Sequence, residues 1–239
     1  MIRRALVALV AVSLLAACTG GGDESRRPDT RPLETGPADT LPSGGGAVLD
    51  GAPPIDGVND RVLVLGDSNL SQSGVQVAAA LQGVGLEPTL RGLAGLGLKD
   101  LDAYWLRELP GLLASDPAVV VVALGTNDTT TRADVVRFSA RLDTMMRAIG
   151  DRPVVWVTHV ERRPFEVAGG GRSVNEAIRT AVVRWRNLTV LDRTALLGLD
   201  PTLLRDDGLH FTDVGMTAFG NEIAAAARAA IPVPARPVP

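Results

Sequence analysis

From Arg61 to Ile231, short apolar runs alternate with stretches in which apolar residues recur every three or four positions. Arg61 to Leu65 reads as a short apolar strand and Val75 to Val84 as a helix. Glu87 to Gly92 can form a second strand, followed by an amphipathic stretch through Leu109. Ala118 to Leu124 is unbroken apolar sequence, the pattern of a central parallel strand covered on both faces. Over Arg132 to Ile149, residues Val135, Phe138, Leu142, Met145 and Ile149 share one helical face. Pro153 to Thr158 predicts a fourth strand, Val174 to Trp185 a helix, Leu188 to Leu191 a fifth strand, and Val214 to Ile231 an alanine-rich closing helix. Strands that alternate with helices in this way imply a parallel sheet in a three-layer α/β/α sandwich. Right-handed crossovers then place the functional loops at the carboxyl ends of the strands.

The two ends of the chain show no such rhythm. Arg3 and Arg4 precede an apolar run from Ala5 to Ala17 of about 13 residues, too short to span a bilayer but suited to a signal peptide. The run ends Leu15-Ala16-Ala17-Cys18, which resembles the lipobox of bacterial lipoproteins. That resemblance implies cleavage after residue 17 and a diacylglyceryl group on Cys18. Two acyl chains suffice for stable anchoring, at ~0.8 kcal/mol per buried CH₂. Residues 18–60 are dense in Gly, Pro, Asp, Thr and Ser and read as a disordered tether, with a coil span of roughly 35 Å. Residues 61–231 form the expected folded domain, and 232–239 a proline-rich, extended tail. The protein is therefore expected to be exported and held by its lipid at the outer face of the cell membrane.

Composition narrows the chemistry. A net charge of −3 over 239 residues offers no basic surface for nucleic acid. Cys18 is the only cysteine, so no internal disulfide is available. Two histidines without a supporting cysteine–carboxylate cluster make no zinc site. The glycines at 92, 95 and 97 are spaced G-x-x-G-x-G, not as a dinucleotide fingerprint, so neither a metal nor a cofactor is implied.

Three clusters carry candidate chemistry. Gly66-Asp67-Ser68 follows the first strand, Gly125-Thr126-Asn127-Asp128 the third, and Asp207-Gly208-Leu209-His210 lies near the C-terminus. A serine hydroxyl is a poor nucleophile until a base takes its proton, and an imidazole can accept that proton and return it to a leaving alcohol. A carboxylate three residues before the histidine can reach its far ring nitrogen and fix the tautomer. A glycine turn and an uncharged side-chain amide supply donors for the oxyanion of acyl transfer. Each cluster alone is ordinary turn chemistry, with Asp128 readable as a helix cap and His210 as a surface residue. Their joint occurrence, two of them at strand ends, favours the catalytic reading.

Together these clusters resemble blocks I, III and V of the SGNH/GDSL hydrolase superfamily, across Arg61 to Ile231. The resemblance implies a flavodoxin-like sandwich with strand order 2-1-3-4-5. It implies Ser68 as nucleophile, His210 as base and Asp207 as its orienting carboxylate. Asn127 and a backbone N–H of the glycine segment would join the Ser68 N–H in holding the oxyanion. Gly95 is the best match for that glycine, with Gly92 and Gly97 as alternatives. Asn69 stands where the family's name motif has leucine. Asp67 is expected to bond loop backbone, His159 to sit at the rim or in packing, and Trp105, Trp156 and Trp185 to be core. The expected activity is a membrane-anchored serine esterase acting on acyl esters of envelope glycans, lipids or small alcohols, with short acyl groups preferred. Acyl transfer to a sugar hydroxyl and a catalytically silent envelope-binding lipoprotein are the alternatives.

Overall fold

Val62 to Leu65 and Val119 to Val122 have no polar side chain to present to water, so both must lie between layers. They do so in the computed structural model of the chain, which describes residues 59–161, 166–194 and 200–231. Strands β1 (Arg61–Gly66), β2 (Glu87–Gly92), β3 (Val119–Ala123), β4 (Val154–Val157) and β5 (Leu188–Leu191) form one parallel sheet in the order β2-β1-β3-β4-β5. The helices are α1 (Ser68–Gly83), α2 (Leu106–Leu113), α3 (Arg132–Ile149), α4 (Gly170–Ala181) and α5 (Asp213–Ala230).

The period-two alternation of strand side chains divides the interior into two cores. Leu63, Leu65, Val120, Val122, Val154 and Trp156 point to one face, where Trp105, Phe138, Leu142 and Ile178 cover them. Val62, Val64, Val119, Val121, Val155 and Val157 point to the other, against Leu70, Val77, Phe219 and Ile223 of α1 and α5. Full burial of such side chains contributes ~1.5–3 kcal/mol each, enough to set the register of every strand. In that register Gly66 pairs with both Gly92 and Ala123, which brings the turns after β1, β2 and β3 to one rim.

The expected sandwich and strand order are present, with shifts at element ends. The first helix begins at Ser68, not Val75, because two positions on its buried face are Ser68 and Ser73, which carry no apolar signal. The fourth helix starts at Gly170 and stops at Ala181, four residues ahead of the pattern reading at each end. There glycine serves close packing: a Cβ on Gly170 would lie 3.0 Å from the Thr129 carbonyl oxygen. The amphipathic stretch after β2 is a 3₁₀ turn (Leu98–Asp100), a π turn (Leu101–Trp105) and α2 in succession. Trp105 and Trp156 are fully buried core residues, and Trp185 packs half-buried beside them. The signal segment, Cys18, the tether up to residue 58 and the tail 232–239 lie outside the described residues. Among the described residues no helix is long and apolar enough to cross a membrane.

Candidate active site

Strand β1 delivers its chain directly into the first turn of α1, with Asp67 as the N-cap and its Oδ1 accepting the Asn69 N–H at 2.9 Å. Asp67 is thus a buried structural cap, as the sequence reading expected. Ser68 occupies the first helical position, where a backbone N–H has no intrahelical acceptor and the helix dipole favours negative charge. Its hydroxyl meets an imidazole from the far end of the chain: Ser68 Oγ lies 3.0 Å from His210 Nε2.

A short antiparallel turn holds that imidazole. Leu204 bridges Phe211, the Arg205 N–H donates to the His210 carbonyl at 2.8 Å, and Gly208 closes the loop with φ +62°. Asp207 fastens the turn with both oxygens. Oδ1 accepts the N–H groups of Leu209 and His210 at 2.9 Å, and Oδ2 sits 2.7 Å from His210 Nδ1. The carboxylate therefore keeps the proton on Nδ1 and leaves Nε2 as the acceptor for the Ser68 hydroxyl. Its slight burial works to raise the Asp207 pKa. The bonds from the His210 ring, His210 N–H and Leu209 N–H outweigh that and bring it down to about 2. Asp207, the aspartate at three-residue spacing, is the one whose carboxylate meets the ring.

The candidate donors lie in the turns after β2 and β3, on the same rim of the sheet. Asn127 follows β3 in a 3₁₀ turn (Thr126–Thr129), and one Nδ2 hydrogen bonds to the Leu96 carbonyl at 2.8 Å. Its second N–H is left for another acceptor. Of the three glycines considered, Gly97 donates its N–H to Asp100 Oδ2 at 2.9 Å, and Gly92 closes β2 against the backbone of Ser71. Gly95 has φ +79° and its N–H makes no hydrogen bond within the described residues, as an oxyanion donor requires. Ser68, Asn127, Asp207 and His210 are thus gathered at the rim of the sheet, with Gly95 in the turn that Asn127 fastens.

Two buried charged groups escaped the sequence reading. Asp128, read there as a cap, is fully buried and bonds the N–H groups of Leu98 and Lys99 at 2.8 and 2.6 Å. Arg193 lies at the end of β5 under the histidine turn, paired through Nε with Glu222 and with its guanidinium 4.8 Å from the centroids of Phe211 and Phe219. Neither sits in a hydrophobic pattern that announces burial; only the fold places them inside. His159 is fixed against α4. Its backbone N–H and Nδ1 both face Asn175 Oδ1, and Asn175 Nδ2 returns to the His159 carbonyl at 2.8 Å.

Comparison with known proteins identifies the family and the fold. Residues 56–218, well over half of the chain, match the GDSL-like lipase/acylhydrolase family, and the chain belongs to it. It is accordingly a carboxylic ester hydrolase. No curated protein sequence gives a significant match. Among solved structures, the lipase/acylhydrolase from Enterococcus faecalis is similar over 71% of this chain and 95% of its own, with TM-score 0.60 and 23% identity. The C-terminal catalytic domain of the Streptococcus pneumoniae peptidoglycan O-acetyltransferase A matches 73% of this chain and 96% of itself, with TM-score 0.57 and 18% identity. A carbohydrate esterase family 3 protein from Talaromyces cellulolyticus matches 72% and 97%, with TM-score 0.56 and 20% identity. These likenesses establish the shared fold.

Proposed function

We propose that the chain is an exported, lipid-anchored serine esterase that removes short acyl groups from glycans or small esters of the cell envelope. One observation carries the chemistry: the unbroken line from Ser68 Oγ through His210 Nε2, at 3.0 Å, to Asp207 Oδ2 beside Nδ1, at 2.7 Å. In this reading His210 takes the Ser68 proton as Oγ attacks the ester carbon. The tetrahedral oxyanion collects donors from the Ser68 N–H, the Gly95 N–H and Asn127 Nδ2. His210 then protonates the departing alcohol, leaving an acyl-serine. Water, activated by the same imidazole, adds to that acyl carbon and releases a carboxylic acid and free Ser68. No cofactor enters any step.

Short acyl groups are supported by similarity in fold to an acetyl xylan esterase. Similarity to a peptidoglycan O-acetyltransferase domain supports a second reading, in which a sugar hydroxyl replaces water in the last step. Anchoring rests on the Leu15-Ala16-Ala17-Cys18 motif. Nitrophenyl esters of increasing acyl length separate these readings. Acetate is expected to be the preferred acyl group, and Ser68→Ala or His210→Ala to abolish turnover. Product analysis with a glycan acceptor distinguishes transfer from hydrolysis. Cys18→Ala is expected to leave the membrane fraction, and a variant that remains there would remove the anchor from the account.

A further inference from the structure

The proposed mechanism leaves a buried carboxylate beside the oxyanion donors without a task. Asp128 follows Asn127 directly, and its side chain is 0% exposed. Its two oxygens accept from consecutive backbone groups of another loop, Oδ2 from Leu98 N–H at 2.8 Å and Oδ1 from Lys99 N–H at 2.6 Å. The carboxylate is packed so closely on that loop that a Cβ at Gly97 would collide with Oδ2. Asn127 Nδ2 grips the same loop one residue earlier at Leu96, and Trp105 Nε1 donates to the Gly97 carbonyl at 3.0 Å. The loop after β2, which carries Gly95, is therefore tied to the loop after β3, which carries Asn127, largely through one side chain.

Stability alone does not account for an ion at this position. A buried carboxylate costs several kcal/mol in desolvation that apolar packing would avoid. The surrounding charges offset that cost only in part. Arg141 of α3 lies 3.8 Å away and is shared with Asp134 at 2.8 Å, while Lys99 pairs with Asp100 at 3.8 Å on the loop itself. What the carboxylate alone provides is two acceptors for two adjacent inward N–H groups. We infer that Asp128 is a positioning residue, which holds the Gly95 and Asn127 donors at a fixed separation and makes oxyanion stabilisation depend on its own ionised form. The inference rests on the proposed roles of those donors.

Ionisation gives a signature that a merely structural residue lacks. Burial raises the Asp128 pKa to about 7, against the lowering effect of the Leu98 and Lys99 bonds and of Arg141. A proton on one oxygen removes one of the two acceptor contacts and loosens the clamp. Activity of the full chain toward nitrophenyl acetate should therefore fall on the acid side as Asp128 takes up a proton.

Asp128→Asn keeps the shape but replaces one acceptor by a donor. It is expected to lower kcat by about 10- to 100-fold, the scale of a displaced donor, with KM changed less than about threefold. The acid limb should then lose the step that belongs to Asp128. Arg141→Met leaves Asp128 in place and removes its nearest positive charge, so the acid limb should move to higher pH. A kcat in Asp128→Asn equal to wild type, or a loss matched by the unfolded fraction, overturns the inference. So does an acid limb that Arg141→Met leaves unmoved. Ser68→Ala keeps the two questions apart: if it retains turnover, the underlying reading has failed; if it is inactive while Asp128→Asn is not impaired, only the clamp has.

Discussion

Two aspartates fasten turns at the rim of the sheet, Asp207 the turn of His210 and Asp128 the loop after β2, and the fold treats them in opposite ways. Asp207 sits on a half-exposed turn with its side chain 43% accessible, and its partners hold the pKa down to about 2. Asp128 is sealed beneath the loops after β2 and β3, and burial raises its pKa to about 7 despite two short backbone bonds. The difference separates what each carboxylate can do. An exposed carboxylate stays ionised over the working pH range and can stabilise an imidazolium as it forms. A buried one can be spent on geometry, as an acceptor that joins two loops, and its charge then becomes a liability that changes with pH.

The sharpest way to break this comparison is to strike each side of it in turn. Asp207→Asn should cost about 10⁴ in kcat, because an amide can no longer hold the proton on Nδ1 and the imidazole turns to the wrong tautomer. Asn127→Ala, on the Asp128 side, should cost about 10²–10³ in kcat, the usual effect of losing one oxyanion donor. Both are read from steady-state rates on nitrophenyl acetate. A ranking in which Asn127→Ala is the more damaging would mean that the histidine turn matters less than its geometry implies.

Stability should respond to pH with opposite signs on the two sides. The folded pKa of Asp207 is depressed, so its contribution is present above the ordinary carboxylate range near pH 4 and fades as pH falls toward 2. The folded pKa of Asp128 is raised, so its contribution is present below pH 4 and is lost as pH climbs through 7. Asp128→Asn should therefore lose less melting temperature than wild type between pH 5 and 8, a difference of a few degrees. Asp207→Asn should instead flatten the decline between pH 4 and 2, the smallest of these effects because that carboxylate is half in water. Thermal melts across the pH range check both.

How far the sequence foretold this site follows from the kind of signal each residue leaves. Ser68, Asn127, Asp207 and His210 stand next to strand ends and turn glycines, so pattern and spacing located them without coordinates. Gly95 was ranked ahead of Gly92 and Gly97 there through the family resemblance alone, because φ and the N–H groups already in use are not legible in a sequence. Asp128 and Arg193 were missed for a physical reason: a charged residue in a loop looks solvated until other segments close over it. In Asp128 that cover comes from Leu98 and Lys99, about thirty residues away along the chain. The start of α1 was hidden likewise, since Ser68 and Ser73 occupy buried positions without being apolar. Long-range burial of polar groups leaves no local periodicity to read.

The central claim is that His210 makes Ser68 a nucleophile. Treating the full chain with phenylmethanesulfonyl fluoride and mapping the adduct by mass spectrometry tests it directly. The sulfonyl group should be found on Ser68, at a rate that collapses in His210→Ala. Labelling at another serine, or labelling of Ser68 undiminished without the imidazole, would contradict it.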